Sequence, residues 1–195
     1  MRKYSHRLLD LLNRDHLPRF LNLNYPQEKM VEVGTYHGDF AHHIATHWKG
    51  ELYCVDPWED QNDAVYRDGC ANGGVAGGIN RMQPIYESAC NKLRNCPSVA
   101  SIIRAYSVDA MTRFSSGSLA CVYIDGNHAY ENCLQDLNGW WTKIRIGGLI
   151  ATHDCYIRKD AVQNCGVWDA VWDFSQIIDE QPFLTNCGSA WWIKQ

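Results

Sequence analysis

Several features that mark whole classes of protein are missing from this sequence. The longest basic feature is Arg2-Lys3 followed by Arg7, and the net charge is -4, so the clustered basic face of a nucleic-acid-binding protein is not expected. No apolar run approaches the ~20 residues needed to span a bilayer, and the N-terminus lacks the apolar core of a signal peptide. We therefore expect neither a nucleic-acid nor a membrane partner, and a cytoplasmic location.

Cysteine and glycine are present, but not in the spacings that define two common site types. The nine cysteines include no C-x-x-C pair, which argues against a zinc site and, with their odd number, favours reduced thiols. No G-x-G-x-x-G follows a strand pattern, which disfavours an NAD-dependent oxidoreductase. A chain of 195 residues with 46% hydrophobic and 21% charged residues, and no internal repeat, indicates one globular domain over residues 1–195.

Short apolar runs alternate with amphipathic segments along the chain. A helical lead-in over residues 1–28, interrupted at Pro18, precedes the first strand. The loop over residues 59–84 contains two glycine pairs and is long enough to predict a lid over a site. The alternation predicts an α/β sheet, with strands at 29–33, 51–55, 99–105, 120–124, 147–151 and 190–193 and helices at 39–48, 85–93, 130–144 and 167–178.

Polar residues follow two of the predicted strands, where each apolar run stops. One run ends at Asp125-Gly126-Asn127-His128, and the next ends at Thr152-His153-Asp154. Ligands collect at the carboxyl ends of parallel strands, so these two segments are predicted to share one rim of the sheet. Asp125 and Asp154 are the best pair of carboxylates in the chain for a hard divalent cation such as Mg²⁺.

The first strand leads into a glycine turn with an acid in front of it, Glu32-x-Gly34-x-x-x-Gly38, and Asp56 follows the second strand. A glycine turn lets backbone N–H groups approach a ligand, and an acid about 20 residues later can bind ribose hydroxyls. An acid two residues before the first glycine suits a ligand with a cationic amino group better than it suits a pyrophosphate. The unit therefore predicts a cofactor that carries adenosine and an amino group.

Four segments together resemble those of class I S-adenosylmethionine-dependent methyltransferases: Val31 to Gly38, Val55-Asp56-Pro57-Trp58, Tyr123 to Glu131 and Gly147 to Asp154. They are most similar to the small group with "IDG-x-H-x-Y" and "GG-x-x-x-x-HD" signatures, related to sugar and antibiotic O-methyltransferases. The resemblance spans roughly residues 30 to 155. It implies a Rossmann-like, doubly wound, seven-stranded sheet that is mostly parallel, with an antiparallel last strand.

The resemblance also implies roles for residues around the glycine turn. Glu32, Gly34 and Gly38 would line the methionine end of the cofactor, and Asp56 would hold the ribose hydroxyls. Ser107, after the third strand, would contact the adenine. The remaining residues predicted to line the cofactor pocket are Tyr36, Trp58 and Asp125.

At the rim, the resemblance implies a metal bound by Asp125, His153 and Asp154, with Mg²⁺ or Mn²⁺ expected. Relatives often have Asp-Asp or Asp-Asn where this chain has His153-Asp154, so His153 is open to three roles: ligand, base or outer-shell group. His128 lies three residues after Asp125, where catechol enzymes carry a basic residue that takes the hydroxyl proton.

The function predicted from this resemblance is methyl transfer from S-adenosylmethionine to a hydroxyl of a sugar or glycan, assisted by a divalent metal and a histidine base. A catechol-like aromatic acceptor is one alternative, and a non-catalytic S-adenosylmethionine-binding module is another. The expected partner is a small-molecule or glycan acceptor. A homodimer formed through the N-terminal helices is also expected.

Overall fold

The computed structural model describes residues 13–59, 82–155 and 166–195. Within the described ranges, one 3-10 turn, Arg14–His16, precedes the first helix, and another, Met111–Arg113, follows the fourth. The helices are α1 (Leu17–Asn24), α2 (Asp39–His47), α3 (Met82–Leu93), α4 (Ser107–Ala110), α5 (Tyr130–Lys143) and α6 (Val167–Ile178). The strands are β1 (Lys29–Val33), β2 (Glu51–Asp56), β3 (Val99–Arg104), β4 (Leu119–Ile124), β5 (Ile144–Thr152), β6 (Phe183–Leu184) and β7 (Ala190–Ile193).

The strands form one seven-stranded sheet in the order β3-β2-β1-β4-β5-β7-β6. Strands β1 to β5 pair in parallel, whereas β7 pairs antiparallel with both β5 and β6. This confirms the predicted doubly wound sheet with its antiparallel last strand. The strand order reverses direction between β1 and β4, and at such a switch point the connections leave a crevice at the carboxyl ends of the strands.

Helices cover the sheet on both faces, and the strand side chains alternate between the two. On one face Val31, Val122 and Ile150 pack with α5 and α6; on the other Met30, Cys121 and Leu149 pack with α1 and α2. All six residues of β4 are buried, as expected of a central strand covered on both faces. The two cores hold the carboxyl ends of β1, β4 and β5 in fixed positions, and these ends carry the predicted site.

The structure corrects two boundaries of the sequence prediction. Helix α3 begins at Met82, so the last three residues of the predicted lid are helical. Pro84 is tolerated there because backbone N–H groups in the first turn of a helix have no partner within the helix. Pro18 does not interrupt the lead-in, because it lies in the first turn of α1. Residues 60–81 of the lid and residues 1–12 of the lead-in lie outside the described part of the chain.

Other differences concern short elements. β6 is a two-residue strand that the sequence pattern did not predict, and β5 begins at Ile144 rather than at residue 147. The described cysteines are free thiols. No helix within the described ranges is long and apolar enough to cross a bilayer.

Candidate active site at the carboxyl ends of β1, β4 and β5

Glu32 lies one residue before the end of β1, between Cys54 of β2 and Tyr123 of β4. Its side chain is buried, and it accepts a hydrogen bond of 2.7 Å from the Thr35 hydroxyl. Burial raises the pKa of Glu32 to about 8, and the nearby charges of Asp125 and Asp56 add to the effect. A buried acid in this environment is ready to ionise against a positively charged ligand.

Asp56 ends β2 and fixes the backbone of the neighbouring turns. Its carboxylate accepts hydrogen bonds from the backbone N–H of Tyr36 at 2.9 Å and of Trp58 at 2.7 Å. Burial raises the pKa of Asp56, and these two hydrogen bonds oppose that rise. Each carboxylate oxygen has a second lone pair, so both oxygens can still accept a hydrogen bond from a ligand hydroxyl.

Tyr36 and Trp58 take part mainly in building this turn. The Trp58 side chain is fully buried and packs against Tyr86 with the ring planes tilted by 55° and the centroids 5.0 Å apart. Its Nε1 donates a hydrogen bond to the Tyr36 carbonyl. Both residues adopt left-handed backbone conformations, with φ +47° for Tyr36 and +43° for Trp58. Such strain in non-glycine residues is concentrated at functional sites, where the surroundings hold it in place. Their predicted contact with a cofactor stays a prediction.

Gly34 and Gly38 are required for two different reasons. A Cβ on Gly34 would lie 2.0 Å from the carbonyl oxygen of Asp125, so only glycine lets the β1 turn approach the end of β4 this closely. Gly38 is the left-handed N-cap of α2, and a Cβ there would lie 3.3 Å from Leu93. The first glycine therefore shapes the candidate pocket, and the second fits the helix against α3.

Ser107, the predicted adenine contact, lies at the start of α4. Its hydroxyl accepts a hydrogen bond from Trp140 Nε1 at 2.8 Å. It also hydrogen-bonds to Asp136, a buried acid of α5 whose pKa burial raises to about 6. The Ser107 side chain thus connects the β3–α4 turn to α5, and its remaining lone pair is what it can offer to a ligand.

The four rim residues predicted from the sequence come together at the ends of β4 and β5. His128 Nε2 lies 3.4 Å from an oxygen of Asp125 and 3.4 Å from an oxygen of Asp154. His153 Nδ1 lies 3.1 Å from Asp154 and 3.6 Å from Asp125. The rim therefore consists of two carboxylates with two imidazoles between them.

Asp154 reaches this position through a left-handed backbone conformation, with φ +56°. Strand β5 ends two residues earlier, at Thr152, so the chain turns at Asp154. Asp154 is the third non-glycine residue of the site with a positive φ, after Tyr36 and Trp58. The cost of such backbone conformations, about 1–3 kcal/mol each, is consistent with a functional constraint.

Charge at the rim shifts two pKa values in opposite directions. Burial alone would raise the pKa of Asp125, but hydrogen bonds and charges from His128 and His153 lower it well below its usual range. Burial would lower the pKa of His153, yet Asp125 and Asp154 raise it to about 9. In the ligand-free protein His153 therefore carries a proton at neutral pH, and a positive charge already sits between the carboxylates.

The same carboxylates fit a divalent cation. Ligand atoms of Asp125, His128 and Asp154 all lie within 4.8 Å of one another. Two carboxylates from neighbouring strand ends suit Mg²⁺ or Mn²⁺, because these cations prefer oxygen ligands. His153 was predicted as the third ligand, and this stays a prediction: its Nδ1, like His128 Nε2, lies close to both acids. At this position His153 can serve either as a ligand or as an outer-shell residue that orients Asp154.

Arg14 reaches the rim and was not singled out from the sequence. Its Nη1 lies 3.3 Å from Asp125 Oδ2, and its guanidinium lies over the Phe40 ring at 5.2 Å. It precedes α1, far from the rim in sequence, in a segment where only a helical periodicity could be recognised. No local signal indicated a contact with Asp125.

Comparison with known proteins agrees with this architecture. A family model described as "Methyltransferase domain" matches residues 31–155. One similar solved structure is the O-methyltransferase TomG of Streptomyces achromogenes, which is involved in tomaymycin synthesis and was solved with S-adenosylmethionine. It is 14% identical in sequence to this chain, and the two structures superpose with a TM-score of 0.62 over 98% of this chain and 87% of TomG. An O-methyltransferase of Bacillus cereus solved with S-adenosylhomocysteine is 11% identical with a TM-score of 0.61, over 93% of this chain and 80% of that one.

A curated relative from Sinorhizobium fredii, "Uncharacterized protein y4gI", is 20% identical over 174 residues. The match covers 86% of this chain but only 17% of that protein. The matched family segment runs from β1 through the rim, and the fold of the chain is similar to that of the solved O-methyltransferases. The chain therefore belongs to the methyltransferase-domain family and has the fold of class I S-adenosylmethionine-dependent methyltransferases.

Proposed function

We propose that this protein transfers a methyl group from S-adenosylmethionine to a hydroxyl of a sugar, glycan or other small hydroxylated molecule, with a divalent cation bound at the rim. The observation that carries the proposal is the cluster of Asp125, His128 and Asp154 beside the acidic glycine-turn pocket. A cationic cofactor and a metal-assisted acceptor would then meet at the switch point of the sheet.

The cofactor half of the proposal rests on Glu32, Gly34 and Asp56. Glu32 is buried and would pair with the cofactor's amino group, while Asp56 would accept hydrogen bonds from the ribose hydroxyls. Gly34 keeps the turn close to Asp125, which brings the methionine end of the cofactor towards the rim. Three acids around one turn favour a ligand with positive charge, and S-adenosylmethionine carries a sulfonium and an ammonium group.

The acceptor half rests on the two rim carboxylates and His128. Methyl transfer from a sulfonium is an in-line displacement, so the protein must align an electron-rich oxygen with the methyl group. A divalent cation held by Asp125 and Asp154 would lower the pKa of an acceptor hydroxyl. His128 Nε2 lies 3.4 Å from both acids, so it is placed to take the hydroxyl proton. We assign it this role because imidazole is a weaker ligand than oxygen for Mg²⁺.

A catechol-like aromatic acceptor is the second candidate. Sugars and catechols both present neighbouring hydroxyls that can bind one cation together, so the rim suits either. The half-buried ring of Phe40, which packs on the buried Tyr123 at 4.7 Å between ring centroids and lies under the Arg14 guanidinium, offers an aromatic surface near the rim. We further propose a cytoplasmic protein that forms a homodimer through its N-terminal helices.

Calorimetric titration tests the proposal, with S-adenosylmethionine and S-adenosylhomocysteine as ligands and NAD as a control. Each ligand is titrated with and without Mg²⁺ or Mn²⁺. We expect micromolar binding of both sulfur ligands, no binding of NAD, and separate metal binding that is lost in Asp125→Asn and Asp154→Asn. Asp173→Asn, on the exposed face of α6, is the matched control.

Methyl transfer to sugar and catechol panels then identifies the acceptor class. Failure of both sulfur ligands to bind would refute the cofactor assignment. Cofactor binding that is unaffected by metal, with no methyl transfer to either panel, would instead support a non-catalytic binding module.

A further inference from the structure

The N-terminal segment places a cation over the rim of the candidate active site. Arg14 Nη1 contacts Asp125 Oδ2 at 3.3 Å, while 40% of the Arg14 side chain stays exposed. A guanidinium has five N–H donors in a planar fork, so its contacts to Asp125 and to the Tyr123 hydroxyl leave others available. Arg14 can therefore bind a second acceptor group without leaving the site.

The backbone of Arg14 is held from two directions. The carbonyl of the next residue, Asp15, hydrogen-bonds to His43 of α2 at 3.1 Å. On the other side, the backbone N–H of Arg14 hydrogen-bonds to the thiol of Cys187, in the turn between β6 and β7. The thiol in turn lies 3.0 Å from the Thr185 hydroxyl. Because its backbone is fixed and its guanidinium is half-exposed, Arg14 is positioned to bind a ligand.

The sum of charges at the loaded rim favours an anion. Asp125 and Asp154 contribute two negative charges, which a divalent cation would balance, and Glu32 would balance the ammonium group of the cofactor. Arg14 and the cofactor sulfonium then add positive charge next to the acceptor. Two positive charges this close together repel each other, and the repulsion is stronger at a partly buried site than in water. A negatively charged ligand would offset it. A neutral sugar or an un-ionised catechol supplies no such compensation.

We propose that Arg14 determines acceptor specificity, and that the acceptor carries an anionic group, a carboxylate or a phosphate, close to the hydroxyl that is methylated. The inference rests on the proposed methyl transfer at the metal rim and narrows its substrate class. When the cation binds Asp125, the guanidinium turns from that carboxylate to the anionic group of the acceptor. Arg14 prefers such groups because its fork matches two oxygens at once.

The test compares three probes that differ in charge but share a sugar ring: D-glucuronate, glucose 6-phosphate and glucose. Binding is measured by calorimetry on the full chain with Mn²⁺ and S-adenosylhomocysteine present. We expect the wild type to bind at least one anionic probe about 10-fold or more tightly than glucose, which is typical for a hydrogen bond to a charged group. Preference for glucuronate identifies a carboxylate acceptor, and preference for glucose 6-phosphate a phosphate.

Variants locate the effect at Arg14. Arg14→Gln is expected to bind all three probes equally, and Arg14→Lys to retain part of the preference because it keeps the charge but loses the fork. Arg19→Gln, an exposed arginine of α1, should behave as wild type. Circular dichroism confirms that each variant is folded. A preference that survives in Arg14→Gln, or a wild type without any preference, would overturn the proposal.

A second measurement separates this inference from the proposed function. Titration with Mn²⁺ alone should show tighter binding in Arg14→Gln than in wild type, because a competing positive charge next to Asp125 is removed. Normal Mn²⁺ binding without any anion preference leaves the metal site intact and refutes the role of Arg14. Loss of anion preference in Arg14→Gln without Mn²⁺ binding in either protein supports that role and refutes the metal site.

Discussion

Glu32 is expected to couple cofactor binding to the release of a proton. Its pKa is raised to about 8 from an ordinary value of 4.5, mainly by burial, so the ligand-free protein holds it protonated at neutral pH. If the amino group of the cofactor pairs with the carboxylate form, binding at pH 7 should release about 0.9 proton per site. Below this pKa, apparent affinity rises with pH as the carboxylate population grows. From pH 6.0 to 7.5 that population, and with it the affinity, increases about 25-fold.

The perturbation is Glu32→Gln, which keeps the size of the side chain and cannot ionise. Its affinity for S-adenosylmethionine should not depend on pH between pH 6.0 and 7.5, and at pH 7.5 it should be about 10-fold or more weaker than wild type, the loss expected for a hydrogen bond to a charged group. The wild-type carboxyl ionises at about pH 4.5 in the unfolded chain but stays protonated up to about pH 8 in the folded protein, so the stability of the wild type should fall as pH rises from about 4.5 to about 8. Glu32→Gln lacks this loss and should be more stable than the wild type at pH 7, by about 3 kcal/mol.

Calorimetry in two buffers of different ionisation enthalpy counts the protons, with EDTA present to keep metal from Asp125. Glu51→Gln, an exposed acid at the start of β2, is the control and should show the wild-type pH dependence. An affinity of the wild type that does not change with pH would refute the reasoning. So would the same pH dependence in Glu32→Gln, since another group would then be the source.

Three further outcomes follow from the same structure. Asp136→Asn should stabilise the protein at pH 7 by about 1–3 kcal/mol, because the pKa of the buried acid is raised to about 6 from 3.8 and stability is lost as pH rises through that interval; chemical denaturation at pH 4 and pH 7 measures it. Gly34→Ala should destabilise by about 3 kcal/mol or more and abolish cofactor binding, since its Cβ would lie 2.0 Å from a backbone oxygen at φ +88°. In metal-free protein, Asp154→Asn should lower the pKa of His153 from about 9 towards 6.5, followed by NMR titration.

Each of these predictions has a control in the described part of the chain. Asp179→Asn, which replaces an exposed acid, is the control for Asp136→Asn and should leave the free energy of unfolding at pH 4 and at pH 7 as in the wild type. Gly117→Ala also has a positive φ, but its Cβ would meet only a carbon 4.0 Å away, so it should cost about 1 kcal/mol. Asp109→Asn, which replaces an exposed acid of α4, is the control for Asp154→Asn and should leave the pKa of His153 at about 9. A pH-independent effect of Asp136→Asn, equal costs for the two glycine variants, or an unchanged pKa of His153 would contradict the respective argument.

The sequence by itself determined the sheet and the position of the rim. Apolar runs that end in Asp125 and in His153-Asp154 are local patterns, and parallel strands bring such ends to one edge whatever the details of packing. The acid and glycine spacing from Glu32 to Gly38 was equally visible, because a tight turn between strand and helix depends on residues close in sequence.

The tertiary structure decided which groups those residues meet. Arg14 and Asp125 are 111 residues apart, so their contact depends on how α1 packs on the sheet and not on any local pattern. Trp58 lies two residues after Asp56 and was predicted to line the cofactor pocket. Its ring is buried against Tyr86 because of the way α3 packs. His128 and His153 both lie within 3.6 Å of the two carboxylates, and these contacts depend on distances between two loops, which side-chain periodicity does not contain.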